Sequence, residues 1–265
     1  MLRLETRGPE NGICNICGTF SRLTDDHIPP KGVPLVGQTY MHKLAASLGA
    51  ARPGSGRLFQ RGVKYRSICS SCNSRVLGGS FDPTLIGLCN DLHTTLPQQV
   101  HLPITLNVKI NRLIRAFVGH ILSHGIGHYR IGEFSSHLTD YLIDESLAVP
   151  ADLRAYTWIY PYKAQVVAQG LGSIFDYRDL ANPFVFSMIK FYPIAFLCSV
   201  GDLPQKESRF VSRVDHLSTT GIDDKADLTL NRSYIPAERW PEAPGKNGAV
   251  FHNDLGTIAV PAVRR

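Results

Sequence analysis

Apolar and polar positions change their rhythm several times along this chain. Residues 22–29 (RLTDDHIP) and 62–69 (GVKYRSIC) alternate as two short strands would. Between them, residues 40–51 (YMHKLAASLGAA) have the spacing of a short helix, flanked by the Pro/Gly-rich PPKGVPLVG and RPGSGR. Residues 69–81 (CSSCNSRVLGGSF) read as a tight turn leading into a short helix, with Gly78-Gly79 as its stop. Beyond Phe81 the period becomes helical. Leu106, Ile110, Leu113, Ile114, Phe117, Val118, Ile121 and Leu122 fall on one stripe of a helix over 105–124, which Gly125 ends. A second helix is predicted at 137–148. After Pro150, the segments AYTWIYPY, AQVVAQGLGSIF and PFVFSMIKFYPIAFLCSV are rich in β-branched and aromatic residues, as antiparallel strands are. From about Asp202 the chain is polar and Pro-dotted, and an irregular tail wrapping the domain is expected. The pattern predicts an α+β protein with a small unit over residues 1–80 and a mixed helical/antiparallel-β domain over residues 81–265.

Length and composition agree with a folded chain: 265 residues, 43% hydrophobic and 19% charged. No apolar run reaches the ~20 residues of a membrane span. The opening MLRLETRGPE has no apolar core of a signal peptide, so a cytoplasmic location is expected. Charge sharpens the picture once it is divided. Residues 1–80 hold eleven Lys/Arg against four Asp/Glu, a balance of +7, whereas residues 81–265 hold seventeen against eighteen, a balance of −1. Residues 28–68 contain seven basic residues and no acidic one. Like charges crowded in one segment repel one another, and a polyanionic partner is the simplest reason to keep them.

Four of the six cysteines form two C-x2-C pairs, Cys14/Cys17 and Cys69/Cys72. Without a secretory signal, paired motifs of this kind favour a metal over disulfides, and four thiolates make a tetrahedral zinc site. The small basic unit needs such a staple, and a structural zinc supplies roughly 10–16 kcal/mol of apparent binding energy in comparable peptides. Cys89 and Cys198 sit in apolar surroundings and are expected as buried core residues.

Beside those cysteines stand Asp26-His27 and Asn73. The whole pattern, C-x2-C, then D-H-I-P-P, then C-x2-C-N, resembles the zinc-bearing HNH (His-Me finger) nucleases of the endonuclease VII type, with the ββα-metal fold, over residues 12–80. The resemblance implies His27 as general base and Asp26 and Asn73 as ligands of a catalytic magnesium or manganese. It implies Cys14, Cys17, Cys69 and Cys72 as ligands of a structural zinc. These residue types suit phosphodiester cleavage, because imidazole is a competent base near neutral pH and a hard cation keeps open positions for water and phosphate. Adjacent Asp and His on a strand face opposite ways, so a bend must redirect one of them, and Pro29-Pro30 offers a break there. Residues 28–68 contain no Asn to orient the base, a task a backbone carbonyl can take over. The long segment around residues 36–60 is expected as an inserted DNA-contacting loop. Lys31, Arg57, Arg61, Lys64, Arg66 and Arg75 are expected phosphate contacts, with double-stranded DNA as the partner. His42, lying alone in the loop, and His120, His124 and His128, without accompanying carboxylates, are expected to have no ligand role.

The expected function is therefore a divalent-metal-dependent DNA endonuclease, with defence against foreign DNA as a setting suggested by family analogy. Two alternatives stand beside it. One is a non-catalytic zinc ribbon that binds nucleic acid or protein. The other is a nuclease effector switched on by a ligand or partner bound to residues 81–265, the domain expected to serve specificity, regulation or homo-oligomer formation.

Overall fold

Strands β1 (Asn11–Ile13) and β2 (Phe20–Ile28) form a hairpin in the computed structural model, with Ile13 opposite Phe20. The structure describes residues 5–34, 37–48, 56–60, 62–98, 102–131, 133–175, 183–218, 221–243, 248–251 and 256–262. After β3 (Thr39–Lys43), α1 (Leu44–Leu48) and β4 (Arg57–Phe59), strand β5 (Val63–Cys69) returns to pair with β2 antiparallel. A three-stranded sheet in the order β1-β2-β5 results. Both expected strands are present: Leu23, Asp26 and Ile28 on β2 and Val63, Tyr65 and Ser67 on β5 turn inward, while Arg22, Asp25, His27, Lys64 and Arg66 are at least partly exposed.

The helix predicted after Cys72 does not stop at Gly78-Gly79. It runs over Ser71–Phe81 with the wider i→i−5 bonding of a π-helix, Asp82 N–H reaching back to Leu77 O, and continues as α2 (Asp82–Thr95). Each glycine costs the helix about 1 kcal/mol, but both are exposed and their neighbours Leu77 and Phe81 are fully buried. Burial of those two side chains outweighs the two glycines. The expected boundary at residues 80–81 thus falls inside one helical run.

Strand β6 (Ile104–Lys109) occupies the start of the segment predicted as helical, and α3 (Ile110–Ser123) carries the rest. Asn107 and Lys109 of β6 are partly exposed, and the strand's partner lies more than a hundred residues away, so local periodicity could not reveal it. Helix α3 is buried along nearly its whole length. At Gly119 it meets Leu77 so closely that a Cβ there would lie 2.3 Å from the leucine Cδ2. Helix α4 (Glu133–Ile143) packs beside it.

A large antiparallel sheet covers the other side of α3. Its central strands are β7 (Leu153–Ile159), β8 (Gln165–Ile174), β9 (Phe184–Phe191) and β10 (Ile194–Val200), the antiparallel strands expected after Pro150. The expected irregular tail is instead largely ordered. After the short helix α5 (Gln205–Ser208), β11 (Ser212–Arg213) pairs with β7, β12 (Lys225–Leu230) pairs with β6, β13 (Ala249–Phe251) pairs with β8, and β14 (Gly256–Pro261) lies between β8 and β3. Strands β11 and β12 are polar at half or more of their positions and β13 has only three residues, so their partners stabilise them more than their own pattern does. The described part of the expected loop around residues 36–60, residues 37–48 and 56–60, includes β3, α1 and β4. Strands β3 and β4 extend the large sheet past β14, with Met41 fully buried. The fold is mixed α+β with mostly antiparallel sheets.

Candidate metal and cleft site

The four paired cysteines come together. Cys14 and Cys17 bracket the turn after β1, closed by the Gly18 N–H bonded to Cys14 O at 2.9 Å. Gly18 needs its left-handed φ of +71° and has no room for a side chain, since a Cβ would lie 2.4 Å from the Tyr129 ring. Cys69 ends β5 and Cys72 begins the π-helix, so strand and helix deliver the second pair. All four Sγ atoms lie within 4.8 Å of one another, none is in a disulfide, and Cys17 Sγ is 3.8 Å from Cys69 Sγ. Zinc–sulfur bonds of about 2.3 Å at tetrahedral angles place sulfurs about 3.8 Å apart. The donor set fits zinc.

Hydrogen bonding suits thiolates as well. Cys69 N–H donates to Cys14 Sγ at 3.3 Å and Cys72 N–H to Cys69 Sγ at 3.4 Å. A thiol–thiolate bond from Cys72 holds Cys14 down to about 5, while the same bond, with burial, pushes Cys72 up. Four such groups cannot all ionise together without a cation among them.

Asp26, His27 and Asn73 line one cleft of about 370 Å³, together with Asp25, Lys31 and Asp82. Asp26 and His27 keep the alternation of a regular strand, and the β-bulge between Thr24 and Asp25 lies just before them, away from Pro29-Pro30. Asp26 turns inward and is 2% exposed. Its Oδ2 accepts from Ser123 Oγ at 2.5 Å and from His120 Nδ1 at 3.3 Å. His120 in turn bonds Asp82 Oδ1 through Nε2 at 2.9 Å. Burial opposes the charge on His120, but the Asp82 and Asp26 carboxylates outweigh it and raise its pKa to about 10. It is an imidazolium clamped between two carboxylates, contrary to the expectation that no carboxylate accompanies this histidine. The carboxylates come from other elements, so no spacing around residue 120 shows them.

His27 lies across the strand pair from Lys64. Partial burial, then the Lys64 and Lys31 ammonium groups, lower its pKa below the usual histidine value, so the ring is neutral near pH 7. Neither ring nitrogen has a hydrogen-bond partner among the described residues, and the expected orienting carbonyl is not there. Asn73 Nδ2 donates to Thr24 Oγ1 at 3.0 Å and to Asp25 O at 3.1 Å. Its amide oxygen is left uncommitted.

The expected phosphate contacts divide. Lys31 and Lys64 line the clefts next to His27, and Arg57 lines a neighbouring one with Lys64 and Arg7. Arg66 is 3.7 Å from Asp25, and Arg75 bonds Ser71 Oγ on the exposed side of its helix. Arg61 lies outside the described residues. His42 is half-buried on β3. His124 is buried against Thr257 Oγ1 at 3.0 Å with its pKa held down to about 3 by burial, then by His128. Among the described residues, only the four cysteines form a group of three or more His, Cys, Asp or Glu side chains placed to hold a metal.

Three participants were not foreseen: Asp82, His120 and Ser123. Asp82 carries no sequence signal; that of His120 and Ser123 is their place in the otherwise apolar stretch 116–123 of α3, where buried polar groups must find partners. No family profile, curated protein or solved structure matches the chain. No helix among the described residues is long and apolar enough to cross a membrane.

Proposed function

We propose that this chain is a divalent-metal-dependent endonuclease of the HNH type that hydrolyses phosphodiester bonds in DNA. The observation that supports it is the cleft shared by Asp26, His27 and Asn73, beside a four-cysteine cluster on the strands and helix that carry them. An ordering of two antiparallel strands followed by a helix is consistent with a ββα-metal module. Asp26, through its uncommitted Oδ1, and Asn73, through its amide oxygen, would hold the catalytic ion. That ion, magnesium or manganese, supplies Lewis-acid stabilisation of the phosphate and leaving oxygen. Two protein ligands suffice for magnesium, which keeps most of its waters.

His27, neutral at physiological pH, accepts the proton of the attacking water. Lys31 and Lys64 offset the charge of the strand phosphates. His120 and Ser123 fix the Asp26 carboxylate from behind. The products expected from the family resemblance carry 5′-phosphate and 3′-hydroxyl ends. Purified protein with magnesium or manganese should nick plasmid DNA, and His27→Ala should lower the rate by about 10²–10⁴-fold. No cleavage with any metal and substrate, or cleavage unchanged in His27→Ala, sinks the proposal.

A second reading is a zinc ribbon that binds nucleic acid without cutting it. The burial of Asp26 and its bonds to His120 and Ser123 favour that reading. Salt-dependent DNA binding without turnover, indifferent to His27→Ala, would select it.

A further inference from the structure

A second cavity, of about 290 Å³, opens beside the cleft, lined by Arg7, Asp25, Arg57, Phe59, Gln60 and Lys64, among others. Asp25 is common to this cavity and the Asp26/His27/Asn73 cleft, while Lys64 joins it to the space in front of His27 and Lys31. The three spaces therefore lie next to one another along β2 and β5.

The chemistry of the lining is specific. Arg57 lies over the Phe59 ring, its guanidinium carbon 5.3 Å from the ring centroid, and one of its N–H groups donates to the Thr6 hydroxyl. That bond fixes one edge of the guanidinium, which has an aromatic ring on one side. Arg7 and Lys64 add positive charge at the rim, and the one acidic residue, Asp25, already faces Arg66 at 3.7 Å. Gln60 accepts a bond from Gln38 through its carbonyl oxygen, which leaves its own NH2 as a donor. A planar cationic platform, an anion-attracting rim and one edge donor, in a volume at the small end of ligand sites, describe a place for a single nucleotide. Arginine planes backed by an aromatic ring are stacking surfaces for unpaired bases.

We infer that this cavity binds one unpaired nucleotide of the substrate strand, its base stacked on Arg57 and its phosphate between Arg7 and Lys64. The inference rests on the nuclease reading for which strand is bound and where the cut falls. It changes the expected substrate from a uniform duplex to nucleic acid with an unpaired nucleotide next to the scissile phosphate.

The test is an abasic scan. Short labelled DNA duplexes with one unpaired nucleotide at a fixed position, each lacking the base at one successive position of that strand, are titrated with the full-length protein without added divalent metal. Loss of one stacked base should weaken binding about tenfold or more at one position and little elsewhere. Arg57→Lys keeps the charge but removes the plane. It should bind the intact duplex about tenfold more weakly and be indifferent to the abasic site at that position. A loss independent of position, or an Arg57→Lys protein that still feels the missing base, overturns the inference. The scan on unaltered protein needs no variant to fold. A position-specific loss in a protein that never cuts DNA keeps the nucleotide cavity and rejects the nuclease, whereas cleavage without any position-specific loss does the reverse.

Discussion

Replacing His120 by Gln removes a fully buried cation from between Asp26 and Asp82 while keeping a side chain that can still hydrogen-bond. The two carboxylates are then left facing one another with no positive charge between them. Removing one member of a buried ion pair costs about 3–5 kcal/mol. The titration of His120 gives an independent figure. Its pKa rises from the usual 6.5 to about 10 in the folded chain, which corresponds to about 5 kcal/mol of stability. Because the folded value is the higher one, this stability is fully present below about pH 6.5 and is lost as pH rises through about 10. The difference between wild type and His120→Gln should therefore be about 3 kcal/mol near pH 7.5 and about 1 kcal/mol near pH 9.5. Urea unfolding of both proteins at these pH values, with zinc held constant, measures it. Curves that stay parallel across that range, or a variant as stable as wild type at neutral pH, would refute the account of His120 as a buried imidazolium.

Cys69→Ser should release zinc, and metal analysis showing full occupancy in that variant would contradict the four-thiolate site. Lys190 and Glu242 form a second buried pair at 2.6 Å, with the Lys190 ammonium also donating to Glu238 O and Trp240 O. Lys190→Met or Glu242→Gln alone should destabilise by about 3–5 kcal/mol, and the double variant by less than the sum; additive costs in thermal or urea unfolding would show the pair is not coupled. Gly119→Val should be strongly destabilising, because its side chain meets Leu77, and a melting temperature within a degree or two of wild type would contradict the packing at this helix crossing.

What the sequence could reveal follows from how local the cause is. The strands over β2 and β5 and the cysteine cluster were legible because alternation and C-x2-C spacing are carried by neighbouring residues. The helix stop at Gly78-Gly79 was misread because two glycines weigh against a helix only until Leu77 and Phe81 are known to be buried. Strands β6, β12 and β14 were invisible because stabilising partners lie more than a hundred residues away for β6 and β12, and more than two hundred for β14 on β3. The cleft was half legible. Asp26, His27 and Asn73 lie within short reach of the cysteines, but His120 and Asp82 reach Asp26 only through the packing of α2 and α3.

That packing decides how the site is built. Asn15 lies inside the first cysteine turn, and its side chain donates to Gly125 O at 3.2 Å and accepts from the His128 N–H at 3.0 Å. Ser67, two residues before Cys69, donates to Ser123 O at 2.5 Å. Both cysteine pairs are therefore tied to the end of α3, the same turn that supplies Ser123 and His120 to Asp26. A metal among the cysteines would fix more than a small basic unit: it would hold β2 and β5 against the helix that aims the buried Asp26 carboxylate. Loss of such a metal would free the Cys14–Gly18 turn, and with it the Asn15 bonds that anchor the end of α3. Zinc removal should for this reason loosen Asp26 before the large sheet unfolds, since no strand of that sheet contributes a cysteine to the cluster.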